Sequence, residues 1–349
     1  MTKLTQHPLD MADVKFYEAF KEETALIKKY FPKKIQVAYT DQTIQESGDR
    51  VCPAKLISVR TQSRIPVAWA KNLDGILTRS MGFDHLARYC QEVKKELSCG
   101  YLPGYCDRAV AEQAVMLMMA LLRKFPRQIK NFKTFKRDDL TGQECRDRKL
   151  LVVGVGRIGA EIVQIAKGLR MRVKGVDIVT RFKDVEYVPL AEGMAWAQIV
   201  VCALPLTEET RGLLSGKAFA KGQEPIAFIN ISRGEVAPVK DLKKMLDENK
   251  ISGLAMDVFE EEDVLAEDFR RRGESRKESV KVIKELMTRD NVILTPHNAF
   301  NTVEAVERKA RQSVEAVVQF LKGKSFPNPL PPSLALPTSP AIGGARGRE

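Results

Sequence analysis

Leu150-Leu151-Val152-Val153-Gly154-Val155-Gly156-Arg157-Ile158-Gly159 reads as a strand that turns into a helix. The apolar run is short enough for a strand buried on both faces, and the residues after it continue at helical spacing, with Ile158, Ile162 and Ile165 on one side. The three glycines, spaced G-x-G-x-x-G, take separate jobs. Gly154 makes the tight turn, Gly156 lets the backbone approach a pyrophosphate, and Gly159 lets the helix pack close to the strand, while the amides of the helix N-terminus face the phosphates. A second apolar run, Met171 to Val176, ends at Asp177, about 20 residues past the glycines, where an acidic side chain bonds an adenosine ribose 2′-hydroxyl. A carboxylate there repels a 2′-phosphate, so the cofactor expected is NAD rather than NADP. The competing reading is an ordinary α/β unit in which Asp177 only caps a strand.

The length of 349 residues allows about two domains on a prior of ~150 residues each. The longest nearly uncharged run, Ala109 to Leu122, is interrupted by Glu112 and too short to span a bilayer, so no membrane role is expected. The polar start Met1-Thr2-Lys3-Leu4-Thr5-Gln6 does not read as a signal peptide. Six cysteines (Cys52, Cys90, Cys99, Cys106, Cys145, Cys202) form no C-x-x-C pair and no metal-ligand spacing, which fits reduced thiols, a cytoplasmic location and no metal. The sequon Asn230-Ile231-Ser232 then has no glycan to receive. The net charge of +12 is crowded into Arg123 to Arg137 and into Arg270, Arg271, Arg272, Arg276 and Lys277. Solvated faces account for it, and such a field would also steer anionic ligands. No recognised motif accompanies it that would make the chain a specific nucleic-acid binder.

Residues 1 to about 100 alternate strand-like and helical segments, which implies a separate parallel-sheet unit before the glycine loop. Strands are expected at 14–17, 35–39, 56–59 and 75–78, and a helix from Glu22 to Tyr30. After the fourth of these strands, Thr78-Arg79-Ser80-Met81-Gly82-Phe83-Asp84-His85 leads to a helix over 85–97 capped by Asp84. The amides near Gly82 can form a nest for a carboxylate, or the loop is a plain connection. The helix 109–123 is apolar almost all round, so burial between domains or subunits is expected. Beyond the glycine loop, strands at 199–205 and 227–231 end in polar residues that place Thr207, Thr210, Ser232, Arg233 and Gly234 at the cofactor edge. Strands at 253–256 and 291–295 end at Asp257 and Pro296-His297, a charged helical insert spans 263–287, and an amphipathic helix spans 301–321. The Pro- and Gly-rich tail, 332–349, is expected to be disordered.

These strand ends thus deliver Arg233, Asp257, Glu262 and His297 to one sheet edge. Reducing a carbonyl by hydride transfer leaves an alkoxide that must be protonated, and histidine is the natural acid near neutral pH. Of His7, His85 and His297, only His297 sits at a strand end. A carboxylate such as Glu262 beside it would favour the charged ring and fix its tautomer. Arg233 offers a fork of donors that can hold a substrate carboxylate and polarise the adjacent carbonyl, although an arginine alone reads equally as a salt-bridge partner.

From about Val14 to Pro331 the chain resembles the D-isomer-specific 2-hydroxyacid dehydrogenases. The resemblance is carried by the 78–85 run, Ala109-Val110-Ala111-Glu112, the glycine loop, Pro205 to Thr210, Asn230 to Gly234, Met256 to Glu262 and Thr295-Pro296-His297. It implies two Rossmann-like α/β domains with parallel sheets and a cleft between them. The flavodoxin-like substrate domain would take 1–107 plus 299–331, and the NAD-binding domain 108–298. It further implies that Arg233 binds the substrate, that Glu262 and His297 form the acid–base pair, and that Asp257 anchors the nicotinamide amide. Ser80, Met81, Gly82, Tyr105 and Phe300 would face the substrate, a small 2-keto or 2-hydroxy acid. Gly154, Gly156, Arg157, Ile158, Gly159, Asp177, Ala203, Pro205, Thr210, Ile231 and Ser232 would line the NAD site with Asp257 and His297. A homodimer is implied as well. His297-Asn298-Ala299-Phe300 and Glu262-Asp263 look like the D-lactate dehydrogenase branch, with pyruvate as substrate. Most other branches carry glycine at Phe300 and proline at Asp263. Two departures stand out: Gln198 replaces a common aspartate, and the insert after Asp263 is unusually basic. Glyoxylate or hydroxypyruvate reduction, or an NAD-sensing scaffold like the C-terminal-binding-protein corepressors, are the alternatives on the same fold.

Overall fold

The computed structural model describes residues 12–331 apart from 94, 272 and 274; the expected disordered tail, His7 and Arg272 lie outside the described residues. The chain forms two compact units, one running to Tyr105 and resuming at Val306, the other spanning Cys106–Ala305.

The first unit is built on five parallel strands: β1 Val14–Phe16, β2 Val37–Tyr39, β3 Leu56–Val59, β4 Gly75–Thr78 and β5 Ser98–Gly100, in the order β2-β1-β3-β4-β5. This is the flavodoxin-like order. β3 and β4 are buried throughout, as strands covered on both faces must be. The helix after the 78–85 run is Asp84–Val93, shorter than expected and beginning at Asp84 itself. Leu97, expected as its last residue, is instead buried in the core just before β5. Helix Val303–Gly323 completes this unit by burying Val314, Val317 and Phe320.

The second unit has seven parallel strands: β6 Lys149–Val153, β7 Arg172–Val176, β8 Glu186–Tyr187, β9 Ile199–Cys202, β10 Ile226–Asn230, β11 Ile251–Met256 and β12 Val292–Leu294. Their order, β12-β11-β10-β9-β6-β7-β8, changes direction between β6 and β9, and at such a switch point a doubly wound sheet binds its ligand. The register aligns the carboxyl ends. Val153 pairs with Val176 and Cys202, Asn230 with Cys202 and Met256, and Met256 with Leu294. The next residues, Gly154, Asp177, Ala203, Ile231, Asp257 and Thr295, therefore emerge along one edge.

Helix Asp107–Leu122 packs within this unit, against β10, β11 and helix Arg157–Gly168. Its all-round apolarity reflects that packing only in part, since Met116 and Met119 stay exposed. The charged insert is two helices, Glu262–Arg271 and Glu278–Leu286, not one. Asp268 fastens the break between them by accepting from the Ser275 amide at 2.6 Å and pairing with Lys284 at 2.6 Å. Gln198 lies at the amino end of β9, where it bonds the Lys149 amide and Glu224, at the sheet edge opposite the strand ends named above. Among the described residues no helix is long and apolar enough to cross a membrane.

Candidate active site

The glycine loop has the geometry its spacing demands. Gly154 has φ +94°, a left-handed backbone that favours glycine, and a Cβ there would lie 2.7 Å from the Ala203 carbonyl. A Cβ on Gly159 would meet the Gly154 oxygen at 2.0 Å, so only glycine brings helix 157–168 this close to β6. Gly156 differs: nothing lies within 4 Å of its Cβ position, and its φ of −82° is open to any residue. Its glycine is not required by the protein's own packing, so the space beside it suits a ligand. Asp177 ties the loop down, its Oδ2 accepting from the Val155 amide at 2.7 Å and its Oδ1 from the Val179 amide at 3.0 Å. These are the residues that would hold a dinucleotide, its phosphates at Gly156, Arg157 and Ile158 and a ribose at Asp177. Gly156→Ala should accordingly leave the melting temperature unchanged while weakening NADH binding by about tenfold or more, read by nucleotide fluorescence titration. Equal affinity would show that no ligand approaches Gly156.

The other strand ends are held by short side-chain bonds. Thr210 donates to the Pro205 carbonyl at 2.7 Å and accepts from the Thr207 amide at 2.8 Å, closing the loop after Ala203. Past β10, the buried Asn230 accepts from the Ser232 amide at 3.0 Å and hydroxyl at 2.9 Å and donates to the Arg233 carbonyl at 3.0 Å. This fixes the turn through Ile231 from which Arg233 projects. The sequence analysis gave Asn230 no role of its own beyond its strand and its motif; an asparagine ending a buried strand is the signal that could have marked it as a turn-former.

Asp257 is 1% exposed and spends its carboxylate on the segment that carries His297. It accepts from the Thr295 hydroxyl at 2.5 Å and from the Asn298 and Ala299 amides at 2.9 Å each. Burial pushes its carboxyl above the ordinary range, and these donors offset that only in part. His297 itself has φ +51°, a left-handed backbone uncommon for histidine and held by the bonds on either side. Its ring meets Glu262, the first residue of helix 262–271: Nδ1 lies 2.9 Å from Oε1 and 2.8 Å from Oε2. With its hydrogen on Nδ1 the ring donates to the carboxylate, and Nε2 is the ring nitrogen outside that bond. Both side chains are about one-fifth exposed, 20% and 19%. The preceding Glu261 is bound to Lys277 at 2.6 Å and Ser279 at 2.8 Å, which lowers its carboxyl, so the basic insert anchors the turn that presents Glu262.

Arg233, Asp257, Glu262 and His297 therefore share the edge with the glycine loop, Ala203, Ile231 and Ser232. Phe300 is buried in the same unit. Ser80, Met81, Gly82 and Tyr105 belong to the first unit. There the Ser80 hydroxyl donates to the Gly82 carbonyl at 2.6 Å and lies 2.7 Å from the Thr78 hydroxyl, giving a compact turn after β4.

The profile described as "D-isomer specific 2-hydroxyacid dehydrogenase, NAD binding domain" matches residues 115–299. The chain belongs to the D-isomer specific 2-hydroxyacid dehydrogenases. It is 32% identical over 262 residues to a D-lactate dehydrogenase of Lactiplantibacillus plantarum, covering 72% of this chain and 76% of that one. It is 30% identical to a glyoxylate reductase of Thermofilum pendens, covering 76% and 75%. The D-lactate dehydrogenase of Aquifex aeolicus, crystallised with NAD and lactic acid, superposes with a TM-score of 0.80 at 28% identity over 89% of this chain and 96% of that one. The protein is thus an NAD-dependent D-2-hydroxyacid dehydrogenase near the D-lactate dehydrogenase branch, and the expectations of family, α/β fold and NAD as cofactor hold.

Proposed function

We propose that this dehydrogenase reduces a small 2-keto acid, pyruvate first among them, to the D-2-hydroxy acid, and runs the reverse oxidation. The observation that carries the reading is the 2.8 Å contact of His297 Nδ1 with Glu262 at the edge that also carries Arg233 and the glycine loop. Arg233 holds the substrate carboxylate in its fork and polarises the neighbouring carbonyl. Bound NADH supplies the hydride. His297 gives the proton from Nε2 to the carbonyl oxygen, and Glu262 holds the ring and stabilises its charge. Asp257 keeps His297 in place, and it stands where the family resemblance puts the anchor of the nicotinamide amide. In the first unit, read as the substrate domain, Ser80, Met81 and Gly82 receive the carboxylate; Tyr105 of that unit and Phe300 of the second are the side chains the family resemblance assigns to the substrate. Purified protein with NADH and a panel of pyruvate, glyoxylate, hydroxypyruvate and branched 2-keto acids, followed by absorbance, tests this. Pyruvate should give the highest kcat/KM; no turnover on any member with NADH demonstrably bound would refute the reading, and a preference for glyoxylate would move the enzyme to the reductase branch.

The working form we propose is a cytoplasmic homodimer. Its support is a row of exposed apolar side chains on the segment after helix 107–122: Phe125, Ile129, Phe132 at 75% and Phe135 at 71% exposure, near the exposed Met116 and Met119. Such a patch signals an interface. The sequence reading saw only the charge of this segment. All six cysteines are free, which suits a reducing compartment. Sedimentation should show a dimer that Phe132→Glu with Phe135→Glu converts to monomer.

A further inference from the structure

The first unit contains an ion cluster that the chemistry above does not use. Glu23 from helix Lys21–Tyr30, Arg79 at the end of β4 and Lys309 from helix 303–323 all have fully buried side chains. Arg79 Nε lies 2.9 Å from Glu23 Oε1, and Lys309 Nζ lies 3.0 Å from the same oxygen. Burying three charges is strongly unfavourable unless each is paired, so a plain packing role would be better served by apolar side chains of like volume. The cluster's position suggests what it does. Arg79 immediately precedes Ser80-Met81-Gly82, and its other nitrogens reach the Ser58 hydroxyl at 3.1 Å and the Tyr17 carbonyl at 2.6 Å. Its own amide donates to the Val59 carbonyl at 2.8 Å. The loop therefore leaves β4 from a residue pinned by β1, β3 and helix 21–30.

We propose that Glu23 and Arg79 are positioning residues for the Ser80–Gly82 loop, and that Lys309, by competing for Glu23 Oε1, makes that positioning depend on pH. This rests on the reading of the loop as the receiver of the substrate carboxylate. The groups facing Lys309 are Glu23, Arg79 and Arg60 past β3, with the Phe20 ring 4.8 Å from its ammonium. Burial lowers the Lys309 ammonium to about 7, opposed by Glu23 and reinforced by Arg60 and Arg79. Burial pushes the Glu23 carboxyl up, but Arg79, Lys309 and Arg60 outweigh it and hold it at about 2, so Glu23 stays ionised while Lys309 titrates. Below that pH the charged lysine shares Oε1 with Arg79. Above it the neutral amine competes weakly, Arg79 has the carboxylate to itself, and the loop is held more firmly.

The test uses the full chain with labelled lysine side chains and backbone amides, followed by NMR from acid to alkaline pH, together with steady-state kinetics on the wild type and Lys309→Met. A lysine resonance missing from Lys309→Met should titrate near 7, and the Gly82 amide should shift with the same midpoint in the wild type only. The KM for the 2-keto acid, taken as the ratio of wild type to Lys309→Met to cancel other titrations, should fall about threefold as pH rises through that midpoint, at unchanged NADH affinity. If Lys309→Met does not fold, Lys309→Arg, which stays charged, should hold the acid-side KM at every pH. A Lys309 that titrates at the ordinary lysine value, or a Gly82 amide or KM ratio indifferent to Lys309, overturns the proposal. A Gly82 amide that follows Lys309 in an enzyme that turns over no 2-keto acid confirms the linkage and instead overturns the substrate reading of the loop.

Discussion

His297→Gln should lower kcat for 2-keto acid reduction by ~100- to 10,000-fold while leaving NADH affinity unchanged, because positioned proton transfer is what the substitution removes. The glutamine amide can still donate to Glu262, so the carboxylate keeps a partner and the local fold survives. Asp257 holds the segment through backbone amides and the Thr295 hydroxyl, independently of which side chain stands at 297. Glu262→Gln should cost less, since it leaves the imidazole in place and removes only the charge that stabilises it. Rapid-mixing kinetics beside nucleotide titration measure both quantities. A His297→Gln enzyme within an order of magnitude of wild-type kcat would mean that water or another group delivers the proton.

Arg233→Lys should reduce kcat/KM by ~100- to 1,000-fold, with KM raised and kcat lowered together. Lysine keeps the positive charge but presents a point donor instead of a planar fork, so it cannot both grip a carboxylate and polarise the adjacent carbonyl. The turn beneath keeps the bonds of Asn230 to the backbone of Ser232 and Arg233 and loses only the one that the guanidinium donates to the Ser232 carbonyl at 2.8 Å. A change confined to KM would assign Arg233 to carboxylate binding alone, with polarisation supplied elsewhere.

Most of the strands and the glycine loop were legible in the sequence because each has a local signature: an apolar run of strand length, a glycine where a Cβ has no room, a polar residue where a strand stops; the strand order, and with it the switch point, has none. Arg233, Asp257 and His297 were found as strand ends, Glu262 as the carboxylate just past Asp257. Side-chain bonds between distant segments leave no such signature. Asp257 was read as an anchor for a ligand, and its engagement with Asn298 and Ala299 depends on β11 lying beside β12, which no spacing reveals. Nor does periodicity separate an arginine in a buried cluster, such as Arg79, from one on the surface. The run 123–137 shows a third limit. Its charges drew the reading, while Phe132 and Phe135 became informative only once their exposure was known.

The interruption of the first unit between Tyr105 and Val306 sets the order in which the molecule can be assembled on the ribosome. The second unit is one continuous stretch and can complete its core as soon as β12 emerges. The first must wait for the last helix, whose Glu307 meets the Tyr30 hydroxyl across 277 residues of chain. Until then Glu23 and Arg79 have no Lys309, and the apolar faces that Phe320 and Val317 will cover stay open to water. The half of the enzyme made first is therefore finished last, and nascent chains would expose it to chaperones and proteases for most of their synthesis.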